Sequence, residues 1–179
     1  DNEKNKFGEK FKKDEAKNDT TKSGSIKSGV IKSKRALENI VNENIGYIKS
    51  TAPNVHCLTN VVTMQDVANM LLAAGGSAIM AQDIKEMEEI TQIASATLLN
   101  MGVPSDEKIA AYIAAGKCAN KLGHPVIFDP VGVGASNYRK KCANDILANV
   151  YPDIIRCNQE EAKVLLEFKN FGREAKNLF

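Results

Sequence analysis

Acids at strand ends are where this sequence could do chemistry. Asp129 closes the run Val126-Ile127-Phe128-Asp129 and is followed by Pro130, then Gly132 and Gly134. The apolar run has the pattern of a strand buried on both faces of a parallel sheet. Proline ends the pairing because it has no N–H to donate. The glycines let the backbone turn sharply or approach a ligand closely. The carboxylate thus falls at the carboxyl end of a strand, where ligands bind in open α/β sheets. There it can hold a metal ion or take a proton. Equally, it can cap the turn while the glycines only shape it. A second polar cluster follows at Asn158 and Glu161. Asn158 sits at an N-cap position with Glu161 three residues on, a capping box that requires no function. The same spacing puts an amide and a carboxylate at a helix N-terminus, where the dipole favours anions. Glu161 can reach Mg²⁺ through water, since Mg²⁺ keeps several waters and takes few carboxylates. Arg156 can pair with a nucleotide phosphate or form a surface salt bridge.

The elements that must position these groups alternate. Leu37, Ile40, Val41, Ile45 and Ile48 mark one helical face, closed by Pro53. Val55–Leu58 reads as a strand running into Thr59-Asn60. Thr63 is the expected cap of the next helix, which Gly75-Gly76 stops. Ser77–Ala81 reads as a second strand. Asp83 starts a helix with Glu86 as its capping-box partner, and Ile84, Met87, Ile90, Ile93 and Ala94 form its buried stripe. Ala96–Leu99 is a third strand, ending at Asn100-Met101-Gly102. Ser105 caps a longer helix with Ile109, Tyr112 and Ala119 on its core face, ended by Leu122-Gly123. After Val126–Phe128, Ser136 caps a helix that Tyr151-Pro152 breaks. Asp153–Cys157 is the fifth strand, and a last helix runs through Phe168. This β-α rhythm implies parallel strands with right-handed crossovers and helices packed on the sheet. It does not give strand order.

The 179 residues suit one domain with a sizeable core. Residues 1–35 hold eleven Lys or Arg against six Asp or Glu and only six hydrophobic residues. Such a segment is expected to be a disordered basic tail, leaving a domain over 36–179. That domain is mildly acidic and shows no basic stripe, so nucleic acid is not an expected partner. No run of 18 uncharged apolar residues marks a membrane span, and no apolar segment marks a secretory signal. The scattered Cys57, Cys118, Cys142 and Cys157 form no C-x-x-C pair and read as reduced thiols of a cytoplasmic protein.

Four long runs together carry a resemblance. PNVHCLTNVVTMQDVANMLLAAGGSAIMAQD (53–83), LLNMG (98–102), AGKCANKLGHPVIFDPVGVGAS (115–136) and IIRCNQEEA (154–162) resemble, in order, the motifs of the hydroxyethylthiazole kinase family. The resemblance implies a ribokinase-like layered α/β fold: a mainly parallel sheet, helices on both faces, and the C-terminal part missing. It implies a homotrimer and ATP- and Mg²⁺-dependent phosphorylation of the hydroxyl of 4-methyl-5-(2-hydroxyethyl)thiazole in thiamine salvage. It places Met80 and Asn60 at the thiazole, Arg156 and Asn158 at ATP, and Asp129 and Glu161 at the Mg²⁺–phosphate site. The chain departs from the pattern at Cys157, where relatives commonly have Gly, and at Val103, where a Thr hydroxyl is lost. The Lys-rich tail is not part of the usual pattern. The group that activates the substrate hydroxyl is expected C-terminal to Phe179, in a further stretch of roughly a hundred residues, a half-domain in size. The alternative is a truncated, catalytically inactive domain for thiazole binding or assembly.

Overall fold

Five parallel strands form one sheet in the order β2-β1-β3-β4-β5. The computed structural model describes residues 34–168, with side chains from 37, so the basic segment expected to be disordered lies almost wholly outside the described residues. The chain divides into two units, Asp1–Glu38 and Asn39–Phe179, and the sheet belongs to the second. The strands are β1 (Asn54–Leu58), β2 (Ser77–Ile79), β3 (Ala96–Asn100), β4 (Val126–Asp129) and β5 (Ile154–Ile155). The helices are α1 (Lys34–Thr51), α2 (Met64–Ala74), α3 (Met87–Ile93), α4 (Asp106–Leu122), α5 (Asn137–Leu147) and α6 (Gln159–Leu166). Single 3-10 turns cover Ile84–Glu86 and Val133–Ala135.

Strand register sorts the side chains onto two faces. Val55 pairs with Ala96, Leu98 with Ile127, and Ile127 with Ile154. Val55, Ala96, Leu98 and Ile127 line a groove with Val67, Met70 and Leu71 of α2. The opposite face carries His56, Leu58, Leu99, Val126 and Phe128, all fully buried, and packs on α3 and α4. Helices therefore cover both faces, as expected for parallel strands. The α2 face is the more open: Met70 is 72% exposed and Ile154 58%.

Caps explain most boundaries. The Ser105 and Ser136 hydroxyls accept from the N–H groups of Lys108 and Arg139. Gly75 and Gly123 end α2 and α4 in the left-handed region. Four sequence expectations need correction. Thr63 makes no side-chain cap; its hydroxyl bonds Thr59 instead. Asp83 caps only the 3-10 turn, through Lys85 N–H, and Glu86 completes no box. Ile84, in that turn, is exposed, and Ile93 falls on the outer face of α3, while Met87 and Ala94 are buried. The second strand stops at Ile79 and the fifth spans two residues. Just before β5, the Asp153 carboxylate accepts from Val126 N–H at 2.8 Å, at the start of β4.

Candidate functional site

The strand order reverses between β1 and β3: the chain leaves β1 toward one edge and β3 toward the other. Such a switch point opens a crevice at the carboxyl ends, the usual ligand position in doubly wound sheets. Here that edge is spanned by a continuous row of side chains. Asn60, just past β1, donates Nδ2–H to Asn100 Oδ1 at 2.9 Å. Asn100, the last residue of β3, donates Nδ2–H to Asp129 Oδ2 at 3.0 Å. Arg156, just past β5, donates Nη1–H to the same Oδ2 at 2.8 Å. Four strand ends are thus joined through one carboxylate.

Each member is fixed from behind. Asn100 and Asp129 are direct register partners across β3 and β4. Asn60 Oδ1 accepts from Val62 N–H, and Asn100 Oδ1 also accepts from Gly102 N–H. A Cβ on Gly102 would run into Asn60, so the close approach requires glycine. The Tyr112 hydroxyl donates to the Asn100 carbonyl from α4, and burial pushes it up to about 12. Asn60, Asn100 and Asp129 are nearly fully buried. Arg156 is 77% exposed along its side chain, so its pairing with Asp129 is partly screened. Asp129 accepts both its side-chain bonds on Oδ2, and its Oδ1 takes no hydrogen bond among the described residues.

Glu161 arrives from α6. The capping box is present: Asn158 Oδ1 accepts from Glu161 N–H, and Glu161 Oε2 accepts from Asn158 N–H. Beyond the box, Glu161 Oε1 accepts from Gly132 N–H at 2.8 Å. Gly132 is left-handed at φ 66°, which glycine adopts freely. This bond ties the Asp129-Pro130-Val131-Gly132 turn to the start of α6. Cys157 feels both acids: burial first, then the charges of Glu161 and Asp129, raise its thiol above the ordinary range. Both carboxylates therefore act on one small region.

Met80 follows β2 directly and is half-buried. The backbone beside it is clamped to β1: the Ala81 carbonyl bonds His56 Nε2, and the Gln82 amide donates to the Thr59 carbonyl. Burial lowers the proton affinity of His56, against the opposing bond to Ala81 and the charge of Glu86. Its Nδ1 meets the Thr91 hydroxyl at 3.0 Å. The structure therefore brings Asn60, Asp129, Arg156, Asn158 and Glu161 to one sheet edge, with Met80 just past the flanking strand β2. Asn100, which sequence reading counted among the strand ends lining the crevice but gave no role, and Arg139, which it passed over, stand among them. Asn100 carried a signal, its place at a strand end; Arg139, inside a helix, carried none.

Among the described residues no three His, Cys, Asp or Glu side chains cluster as a closed metal site. One open carboxylate oxygen with a second acid nearby suits Mg²⁺, which keeps waters and shares phosphate oxygens with its ligand. All four cysteines are free, and burial pushes Cys57 up to about 11.

A parallel sheet with an acidic site at its switch point defines the class: an α/β domain of the kind that binds small ligands at its carboxyl edge. The profile of the hydroxyethylthiazole kinase family matches residues 45–175, and the chain belongs to that family. The chain is 52% identical over 118 residues to a hydroxyethylthiazole kinase of Clostridium botulinum, covering 66% of this chain and 42% of that one. A hydroxyethylthiazole kinase of Clostridium acetobutylicum is 48% identical over 126 residues, 70% of this chain and 46% of its own. The structure of the Pyrococcus horikoshii hydroxyethylthiazole kinase matches with a TM-score of 0.70 at 34% identity, over 78% of this chain and 55% of that one. The chain thus spans under half the length of these two curated relatives. No helix among the described residues is long and apolar enough to cross a membrane.

Proposed function

We propose that this chain carries the thiazole-contacting and metal-holding edge of an ATP-dependent kinase acting on the hydroxyl of 4-methyl-5-(2-hydroxyethyl)thiazole, a cytoplasmic step of thiamine salvage. The observation that carries the reading is the row Asn60–Asn100–Asp129–Arg156 at the switch point. Phosphoryl transfer needs positioning and neutralisation of charge more than covalent chemistry. A fixed carboxylate with one open oxygen, an exposed guanidinium beside it and a second acid at a helix N-terminus supply that. In this reading Met80 contacts the thiazole, with Asn60 holding the adjoining turn. Arg156 and the helix start at Asn158 take the nucleotide phosphates. Asp129 and Glu161 hold Mg²⁺, which when bound neutralises phosphate charge. Asp129 keeps Arg156 in place until phosphate competes for it. The group that activates the hydroxyl is placed outside these 179 residues, and the assembly is a homotrimer.

The alternative reading is a catalytically inactive thiazole-binding or assembly domain. Titration calorimetry with the thiazole alcohol and a coupled ADP-release assay with ATP and Mg²⁺ test both. The account expects the 179-residue chain to bind the alcohol, Met80→Ala to weaken that binding, and turnover to stay far below about 1–100 per second. Turnover in that range would overturn the placement of the activating group. No binding of the alcohol would overturn the thiazole assignment.

A further inference from the structure

Arg139 lies in the first turn of α5, beside none of the strand ends in sequence, yet its guanidinium is spent on the site's loops. Nη1 donates to the carbonyls of Met101, at 3.3 Å, and Val131, at 2.8 Å. Nη2 donates to the carbonyl of Gly102 at 2.8 Å. No carboxylate pairs with it among the described residues. A half-buried cation that takes three backbone carbonyls and no acid is holding backbone.

The backbone it holds leads to both acids. Met101 N–H donates to the carbonyl of Asp129 at 2.9 Å, so the loop after β3 is fastened to the end of β4. Val131 is followed by Gly132, whose N–H donates to Glu161 Oε1. A Cβ on Gly132 would lie 3.4 Å from Arg139 Nη1, so the bare glycine backbone rests against the guanidinium. The Ser136 hydroxyl accepts from Arg139 N–H and starts α5 where the chain folds back over this turn. We infer that Arg139 is a positioning residue for the Asp129–Glu161 pair, clasping the loop after β3 to the turn after β4 so that both acids serve one metal–phosphate site.

The inference rests on the proposed function, because the two acids are read there as the Mg²⁺ holders. Lys cannot replace the residue, since a point ammonium lacks the planar fork that reaches three carbonyls. Supports of this kind alter metal affinity by about 10–100-fold when removed.

The test uses Arg139→Lys, Arg139→Gln and Ser136→Ala. Ser136→Ala weakens the same helix start but leaves the guanidinium in place. Mn²⁺–ATP binding is read by water-proton relaxation, and amide exchange of Gly132 and residues 101–103 is read by NMR. Both Arg139 variants are expected to exchange the Gly132 amide faster and to bind Mn²⁺–ATP about 10–100-fold more weakly, with Ser136→Ala close to wild type in affinity. Unchanged Gly132 exchange in both Arg139 variants overturns the inference whatever the metal does. Wild-type affinity in Arg139→Lys, while Asp129→Asn loses it, overturns the positioning role and leaves the metal reading standing. Equal losses in Ser136→Ala and Arg139→Lys overturn it too, as general loosening of α5. No relaxation enhancement by the wild-type chain overturns the metal reading and the inference together.

Discussion

Asn100→Ala removes the central link of the row across the sheet edge. Three hydrogen bonds go at once: Nδ2–H to Asp129, and the two that Oδ1 accepts from Asn60 and Gly102. The donors left behind differ in burial. Asn60 is only 5% exposed, so its Nδ2–H finds little water. Gly102 N–H is half-buried and recovers part of its hydration. Asp129 keeps Arg156. Leaving a buried group unsatisfied costs about 1–3 kcal/mol. One full loss and two partial ones come to about 3 kcal/mol. At about 2–4 °C per kcal/mol for a chain of this size, the melting temperature falls by roughly 6–12 °C. Urea and thermal unfolding followed by circular dichroism give the value. A cycle with Asn60→Ala isolates the pair, and a coupling of about 0.5–3 kcal/mol is expected for residues in one network. A loss for Asn100→Ala below about 0.5 kcal/mol, the usual range for surface substitutions, or strict additivity with Asn60→Ala, would refute the claim that the row is one connected structure.

Gly102→Ala places a Cβ 2.9 Å from Asn60 Cγ and 3.0 Å from Asn100 Oδ1; a cost of about 1–3 kcal/mol, typical of overpacking, is expected in the same melts. Thr97 is fully buried and its hydroxyl has no partner among the described residues, so Thr97→Val is expected to stabilise by about 1 kcal/mol, checked by urea midpoint. Burial lowers the proton affinity of His56 in the fold below the ordinary 6.5. As pH falls through 6.5 the unfolded chain therefore binds the proton more readily than the native state, so stability falls as pH drops below 6.5 and is retained above it. A His56→Gln variant is expected to show a flatter acid limb in melts between pH 5 and 8.

The strand ends were legible because apolar runs give way there to Asn, Asp, Gly and Pro, although the second strand stops at Ile79 and the fifth spans only two residues. The order β2-β1-β3-β4-β5 was not, since alternation of strands and helices leaves it open. The row of side chains depends on that order. Asn100 meets Asp129 only because β3 and β4 are register partners, and Asn60 meets Asn100 only because β1 lies beside β3. Ile84 misled the helical reading because it lies in a 3-10 turn, and Ile93 because the buried face of the helix runs through Met87, Thr91 and Ala94. Cap signals at Ser105, Ser136 and Asn158 held because they are local, needing only backbone three residues away. Arg139 was illegible because its partners are backbone carbonyls, which leave no mark in sequence.

Glu161 and Asp129 are unequal probes of the metal assignment. Both Glu161 oxygens accept N–H bonds, so a Gln there sets its NH₂ against one donor and disturbs the turn. Asp129 accepts both its bonds on Oδ2, and an Asn oxygen in that place keeps them while removing the charge. The most direct measurement is therefore Mn²⁺–ATP binding by Asp129→Asn, read by water-proton relaxation alongside a thermal melt. The account predicts a melting temperature near wild type with Mn²⁺–ATP binding abolished or weakened about 10-fold or more, as loss of a charged ligand oxygen requires. Binding equal to wild type by a folded Asp129→Asn would contradict the assignment of this strand end as the metal–phosphate site.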